Sequence, residues 1–230
     1  MSRVETFPTA AAAADAAAQA LLARLSAPGP KRLMVTGGRG AGPVYDRLAD
    51  ADIDWPGVTA ALSDERFVAA DSGLSNERQV RERLIRSRAA PLRFVPLKGP
   101  GPTPEDDAVR AEPLIRALLP FDAGLLGMGE DGHVGSLFPQ TPGLSAALDV
   151  DGERLVIGVA EAGLAPFVPR ISLTGRALFD ARLVVLLIGG EAKRALVERV
   201  ERDPAFAPPV GALLRQRKAP VRVIWSPGEA

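Results

Sequence analysis

The chain has 230 residues with 28 basic and 28 acidic side chains, so its formal net charge is zero and a single histidine sets the balance near neutral pH. Such a chain has no basic surface that would seek a nucleic acid or an anionic membrane. An apolar share of 47% excludes bulk disorder, and the absence of cysteine excludes a disulfide scaffold, a thiolate metal site and a cysteine nucleophile. The first 25 residues are rich in alanine but broken by Asp15 and Gln19, without a basic stretch ahead of an uninterrupted apolar run. No secretory leader is expected from that pattern. No window approaches the ~18 strongly apolar residues of a spanning helix, so the expected location is the cytoplasm.

In chain order, residues 9–26 have the Ala/Leu content of a strong helix former, with Thr9 as cap and Pro28-Gly29-Pro30 as stop. Residues 31–36 form a short apolar run ending at Gly37-Gly38, after which Val44, Leu48 and Ala51 recur at helical spacing. The alternation repeats: a strand at 58–62, a charged amphipathic helix at 75–88, a strand at 93–97, a helix at 104–119 bent by Pro113, and a strand at 123–128 entering a glycine-rich turn. Further on, 155–160 and 183–188 read as fully buried strands, 172–179 and 191–200 as helices, and 221–225 as a final strand. This pattern predicts an α/β fold, a mostly parallel sheet with helices on both faces. The Pro/Gly stretch at 98–104 leaves neither half with a full alternation set, so residues 1–230 are expected to form one domain.

Three glycine or charge clusters follow predicted strands, where open α/β sheets bind ligands. The first, Gly37-Gly38-Arg39-Gly40-Ala41-Gly42, can turn backbone N–H groups toward an anion. Pro43 stands where a dinucleotide turn needs its third glycine and where a P-loop needs its lysine, so nucleotide binding is disfavoured. The second cluster is Asp64-Glu65-Arg66, with Ser75-Asn76-Glu77 nearby as a helix cap. The third, Gly127-Met128-Gly129-Glu130-Asp131-Gly132-His133, brings two acids and the only histidine onto a turn whose backbone is open to a ligand. Asp131, two residues away, can set the tautomer of His133.

One histidine and no cysteine make an uncommon metal-ligand set, and Glu130-Asp131 lack calcium-loop spacing, so no metal is expected. Val134 and Phe138 replace the glycines that would flank Ser136 in a nucleophile elbow. Arg170 and Lys193, each beside a predicted element boundary, are suited to a phosphate, arginine as a fork and lysine as a point charge.

These segments, in this order, resemble the 6-phosphogluconolactonase family. The most specific is LLGMGEDGHVGSLFP at 125–139, supported by TGG at 36–38, DERFV at 64–68, SN at 75–76, PRISLT at 169–174 and GGEAK at 189–193. The resemblance implies a Rossmann-like sheet, shared with glucosamine-6-phosphate deaminases, and a cofactor-free hydrolysis of 6-phosphogluconolactone. It implies His133 as general base, Asp131 as its neighbouring acid and Arg66 as the group that stabilises the oxyanion. Gly37, Gly38, Arg170 and Lys193 are the implied phosphate contacts, and Arg39, Asp64, Asn76 and Gly129 complete the implied substrate-binding set. Two departures stand out. Arg39-Gly40-Ala41 replaces the family's common Ser-Thr-Pro, with Tyr45 still in register, and Gly135 stands where alanine is frequent.

A deaminase would continue the histidine turn into Phe-Asn-Glu-Pro, whereas Ser136-Leu137-Phe138-Pro139 offers no acid for ring opening. A sugar-phosphate-binding regulator would not need His133, Asp131 and Arg66 together. The expected partner is therefore a small sugar-phosphate lactone, bound by a monomer or weak homo-oligomer.

Overall fold

The computed structural model describes residues 4–228; residues 1–3 and 229–230 of the expected domain lie outside the described residues. The chain begins with β1 (Val4–Thr6), α1 (Ala10–Leu25), β2 (Lys31–Val35), α2 (Ala41–Ala49) and β3 (Val58–Leu62). It continues through β4 (Asp64–Arg66), α3 (Asn76–Arg83), β5 (Arg93–Val95), α4 (Pro104–Arg116) and β6 (Ala123–Leu126). The remainder is α5 (Leu144–Leu148), β7 (Val156–Val159), β8 (Arg170–Leu173), α6 (Gly175–Leu178), β9 (Val184–Gly189), α7 (Glu191–Arg202), α8 (Pro209–Arg215) and β10 (Val221–Ser226).

Seven strands form one sheet in the order β1-β10-β9-β6-β2-β3-β5, and every neighbouring pair is parallel. All six residues of β9 and all four of β6 are buried. Side chains alternate across a strand, so continuous burial means that both faces of the sheet are covered, as the apolar runs predict. Helix α1 packs on β6, β9, β10 and α2 through Ala13, Ala14, Ala17 and Leu21, small side chains that let it lie close to its neighbours. Trp55, Tyr45, Phe121 and Phe179 are the bulkiest side chains of the core.

A second sheet, β4-β8-β7, is antiparallel and was not expected. It grows from the carboxyl end of β3: the Ser63 N–H donates to the Val35 carbonyl (2.7 Å), and the Leu173 N–H donates to the Ser63 carbonyl (2.8 Å). Residues 172–179 are accordingly not one helix. Ser172 and Leu173 belong to β8, because Ile171 and Leu173 are buried and pairing with β4 and β7 claims the backbone, which leaves α6 a single turn. β7 is likewise not fully buried, since Ile157 and Gly158 are partly open to solvent.

Two helices are shorter than expected. α3 ends at Arg83, and Ser87 takes a positive φ of 49°, which no helix can continue, before a short 3-10 turn at Ser87–Ala89. α4 ends at Arg116, ahead of Pro120, which disfavours helical geometry in the residue before it. Pro113 is accommodated inside α4: the carbonyl it leaves unpaired belongs to Val109, a residue 60% exposed, where water can satisfy it.

The small sheet is seated against α4. The Gly158 N–H donates to Glu105 Oε2 (2.9 Å), and a Cβ at Gly158 would lie 2.5 Å from the Glu105 backbone nitrogen. Gly158→Ala should therefore lower stability by roughly 1–3 kcal/mol, the usual cost of overpacking against backbone. Urea unfolding of the variant beside wild type checks this, and equal midpoints would contradict the packing.

Candidate active site

β2 pairs with β3 on one side and β6 on the other. The chain leaving β2 returns through α2 to β3, whereas β6 feeds the half of the sheet that contains β9. At such a switch point the loops part and leave a crevice at the strands' carboxyl ends. A cavity of about 220 Å³ occupies that position. Its wall is built by the turn after β2 (Thr36 to Ala41), by Asp64, Arg66 and Asn76, by the segment after β6 with Gly129 and His133, and by Gly189 and Lys193 at the end of β9.

The turn after β2 is fastened from three sides. The Tyr45 hydroxyl accepts from the Thr36 N–H (2.8 Å) and donates to the Thr36 carbonyl. Burial pushes the Tyr45 phenol above its ordinary range, which keeps that proton in place for donation. Gly37 lies against the Asn76 amide, whose Oδ1 would be 1.9 Å from a Cβ, so only glycine fits. Gly38 has φ +99°, and the Gln79 side-chain amide binds both of its backbone groups: Gly38 N–H to Oε1 (3.1 Å) and Nε2 to Gly38 O (2.7 Å). Among the described residues, the helices of eight residues or more divide by their N-termini. Thr9, Ser75 and Thr103 cap α1, α3 and α4 through side-chain hydrogen bonds, while α2 and α7 start at Gly40 and Gly190 with no side-chain cap. The two uncapped ends are the ones beside the cavity, where Gly40, Ala41, Gly189 and Lys193 line the wall. Uncapped N–H groups and the helix dipole both favour an anion there.

β4 supplies three charged residues with three different roles. Asp64 is buried, accepting from Ser63 Oγ (2.9 Å) and Ser136 Oγ (2.7 Å), and so ties β4 to the histidine segment. Glu65 is 2% exposed. Its carboxylate accepts from the backbone N–H groups of Arg66 (2.6 Å), Asn76 (2.8 Å) and Glu77 (2.7 Å) and from Ser75 Oγ (3.0 Å). Burial pushes this carboxyl upward, opposed by the four donors. Arg66 reaches the cavity, steadied by Nη1 donating to the Leu74 carbonyl (2.6 Å).

The histidine turn closes on itself: the Gly129 N–H donates to the His133 carbonyl (3.0 Å) and the Gly132 N–H to the Gly129 carbonyl (3.1 Å). Gly132 has φ +82° and accepts from the Val210 N–H (2.8 Å), which docks α8 beneath the turn. His133 Nδ1 lies 2.6 Å from Asp131 Oδ1, which also accepts from the His133 backbone N–H (3.1 Å). A carboxylate partner requires the proton on Nδ1 and leaves the lone pair of the neutral ring on Nε2. The imidazole rests on Phe138, with ring centroids 4.6 Å apart. A Cβ on Gly129 would lie 2.1 Å from Nδ1, so this glycine is the space in which the pair forms. Burial alone would raise the Asp131 carboxyl, but the hydrogen bond and charge of His133 outweigh it and hold the group below the ordinary carboxylate range.

The structure brings Gly37, Gly38, Arg39, Asp64, Arg66, Asn76, Gly129, His133 and Lys193 to one cavity. Arg170 stands apart from that wall. It pairs with Arg66 through the backbone of β8, is 3% exposed, and donates from Nη2 to the Pro166 carbonyl (2.7 Å) while Nη1 has no partner. Burial pushes its guanidinium below the ordinary arginine value and Arg66 adds to this, with Asp64 and Glu65 opposing. Asp131 holds His133 without itself lining the cavity. Ser136 is buried and spends its hydroxyl on Asp64, in keeping with the absence of an elbow. Among the described residues, no group of three or more His, Asp or Glu side chains is placed to hold a metal ion. Gln79 was not anticipated; the signal was its spacing from Asn76, three residues on, which puts both on one face of α3.

Residues 6–225 match the family model described as glucosamine-6-phosphate isomerases/6-phosphogluconolactonase. The chain is 41% identical to the 6-phosphogluconolactonase of Caulobacter vibrioides, over 97% of each chain, and 36% identical to that of Rhizobium meliloti, over 95% of this chain and 94% of the relative. A 6-phosphogluconolactonase crystal structure from Shewanella baltica superposes with a TM-score of 0.89 at 35% identity, covering 98% of both chains.

Because the Asp131 carboxyl is depressed, its contribution to stability is complete above the ordinary aspartate value of about 3.9 and is lost as pH falls through its own lower value. Asp131→Asn should therefore be less stable than wild type at neutral pH, with the gap narrowing in acid. Urea titrations at several pH values read this directly, and a gap independent of pH would contradict it.

Proposed function

The chain belongs to the glucosamine-6-phosphate isomerase/6-phosphogluconolactonase family, and we propose that it hydrolyses 6-phospho-D-glucono-1,5-lactone to 6-phosphogluconate with His133 as general base. The observation that carries this reading is the Asp131–His133 pair at 2.6 Å, in a cavity that also holds Lys193 and two uncapped helix starts. An imidazole held in one tautomer suits proton transfer, and a cationic wall suits a phosphate.

A δ-lactone is an activated ester. Water attacks its carbonyl carbon and gives its proton to His133 Nε2, Asp131 stabilising the imidazolium that forms. The oxyanion of the tetrahedral intermediate is met by Arg66, held by the Leu74 carbonyl and already within the cavity. As the intermediate collapses, the bond from the carbonyl carbon to the ring oxygen breaks and His133 returns the proton to that oxygen, leaving an open-chain hydroxy acid. Lys193 and the Gly37–Ala41 turn hold the phosphate at the far end, which spends remote binding energy on aligning the carbonyl. Arg170 contributes from behind Arg66, adding positive charge to that wall. In this reading residues 1–230 work as one unit in the cytoplasm, with no cofactor, as a monomer or weak homo-oligomer. Among the described residues no helix is long and apolar enough to cross a membrane.

His133→Ala should keep its circular dichroism spectrum and lose activity by about 10²–10⁴-fold, the range of general acid–base help. A pH-stat assay on freshly generated lactone, corrected for spontaneous hydrolysis, measures this; near-full activity would remove the base from the scheme. Ammonia released from glucosamine 6-phosphate would instead assign the chain to deamination. Lys193→Ala should raise KM for the phosphorylated lactone, and wild type should show a much lower kcat/KM on unphosphorylated gluconolactone; equal values on both lactones would refute the phosphate role.

A further inference from the structure

We infer that Gln79 is a positioning residue that fixes the Gly38 peptide and thereby sets the turn that receives the phosphate; the inference rests on the reading above and adds a determinant of specificity to it. The turn has little to hold its shape locally. Arg39, Gly40 and Ala41 carry no short hydroxyl side chain to bond their own backbone, and the α2 N-cap is a glycine. Gly38, at φ +99°, occupies a region glycine enters and leaves freely. The one side chain that grips this peptide by both of its groups is Gln79, whose amide meets the N–H and carbonyl of Gly38 as a neighbouring strand would.

Gln79 also has a firm base. It lies on α3 one turn from Asn76, which abuts Gly37, so one face of one helix holds both glycines. The first turn of α3 is in turn fixed by the buried Glu65, next to Arg66. The two ends of the proposed substrate, phosphate and carbonyl, are thus registered against each other through α3. Gln79 is not part of the cavity wall and lines the adjoining groove with Ser75, Arg78 and Glu82. Its effect on substrate passes through Gly38. Without the clamp, a mobile Gly38 must be ordered on each binding event, a cost borne only by ligands that carry the phosphate.

Gln79→Ala and Gln79→Met, the second keeping chain length and helix propensity, should each raise KM for the phosphorylated lactone about tenfold, the scale of one or two net hydrogen bonds. Their kcat should stay within about twofold, as should kcat/KM on unphosphorylated gluconolactone, while the inhibition constant of inorganic phosphate rises in parallel with KM. Unchanged KM, or equal loss on both lactones, would overturn the inference, the second outcome indicating a purely structural role. Binding of inorganic phosphate to wild type and both variants, followed by calorimetry, separates the two levels of argument. A chain that binds phosphate in a Gln79-dependent way but opens no lactone would sink the proposed reaction and keep the positioning role. Phosphate affinity indifferent to Gln79 would sink the positioning role whatever the reaction.

Discussion

A parallel strand cannot fold straight back on its neighbour, so each strand of the main sheet ends in a loop that must travel through another layer. β2 and β6 lie side by side and belong to halves of the sheet wound in opposite senses, so the chain cannot bridge the gap between their ends. This topological gap precedes any chemistry. Once it exists, every loop that borders it can deliver backbone groups and side chains to one place, and four of them do.

Loops of that kind are easily deformed, and here the stiffness comes from buried polar contacts. Thr36, Ser63, Asp64 and Ser136 form a chain of contacts of 3.1 Å or less from the end of β2 to the histidine segment, and the Ser136 N–H extends it to Ser172 of β8. Each of these groups would cost stability if left unpaired, which makes the network cooperative in holding the loops in one arrangement. Glu65 does the same for α3. A carboxylate with four donors acts as a helix cap supplied from a strand, and it orders Arg66 and Asn76 in the same stroke. The small antiparallel sheet is therefore part of the site's scaffold, because it carries Asp64, Glu65 and Arg66 on its edge strand β4.

What was legible beforehand follows from how local each signal is. The strands of the main sheet were readable because burial on both faces writes an uninterrupted apolar run, as in residues 184–188, and α1 was readable from its alanines and Thr9. β4 was not, since Asp-Glu-Arg reads as solvated and becomes a strand only because β8 pairs with it. β8 was hidden by the serine and threonine that suggested a helix start at 172, and α8 by a run of prolines whose docking against Gly132 is non-local. The site's glycines and charges were visible as clusters following strands, yet their division of labour was not. Nothing in the tripeptide 64–66 says that Asp64 and Glu65 turn inward to hold loops while Arg66 faces the cavity, and nothing around Arg170 says that it is enclosed behind Arg66. Such distinctions depend on which donors lie across space.

The zero net charge of the chain illustrates the same point for electrostatics. Averaged over the molecule, the balance predicts no attraction for a phosphorylated ligand. Along the cavity wall, however, Arg39, Arg66 and Lys193 face a single carboxylate, Asp64, and that carboxylate is occupied by two serine hydroxyls. Acids elsewhere are matched in the same way: Asp46 by Arg83 and Arg86, Glu5 by Arg222 and Asp151 by Lys218. Pairing of that kind leaves little field at a distance, because exposed charges are screened within about 8–10 Å at physiological salt. The field a small anion meets is therefore set by the groups lining the crevice, to which two uncapped helix starts add their own positive ends. A neutral surface with a locally cationic recess attracts few polyanions and still offers a seat for one small phosphate, which is the discrimination a metabolic enzyme needs.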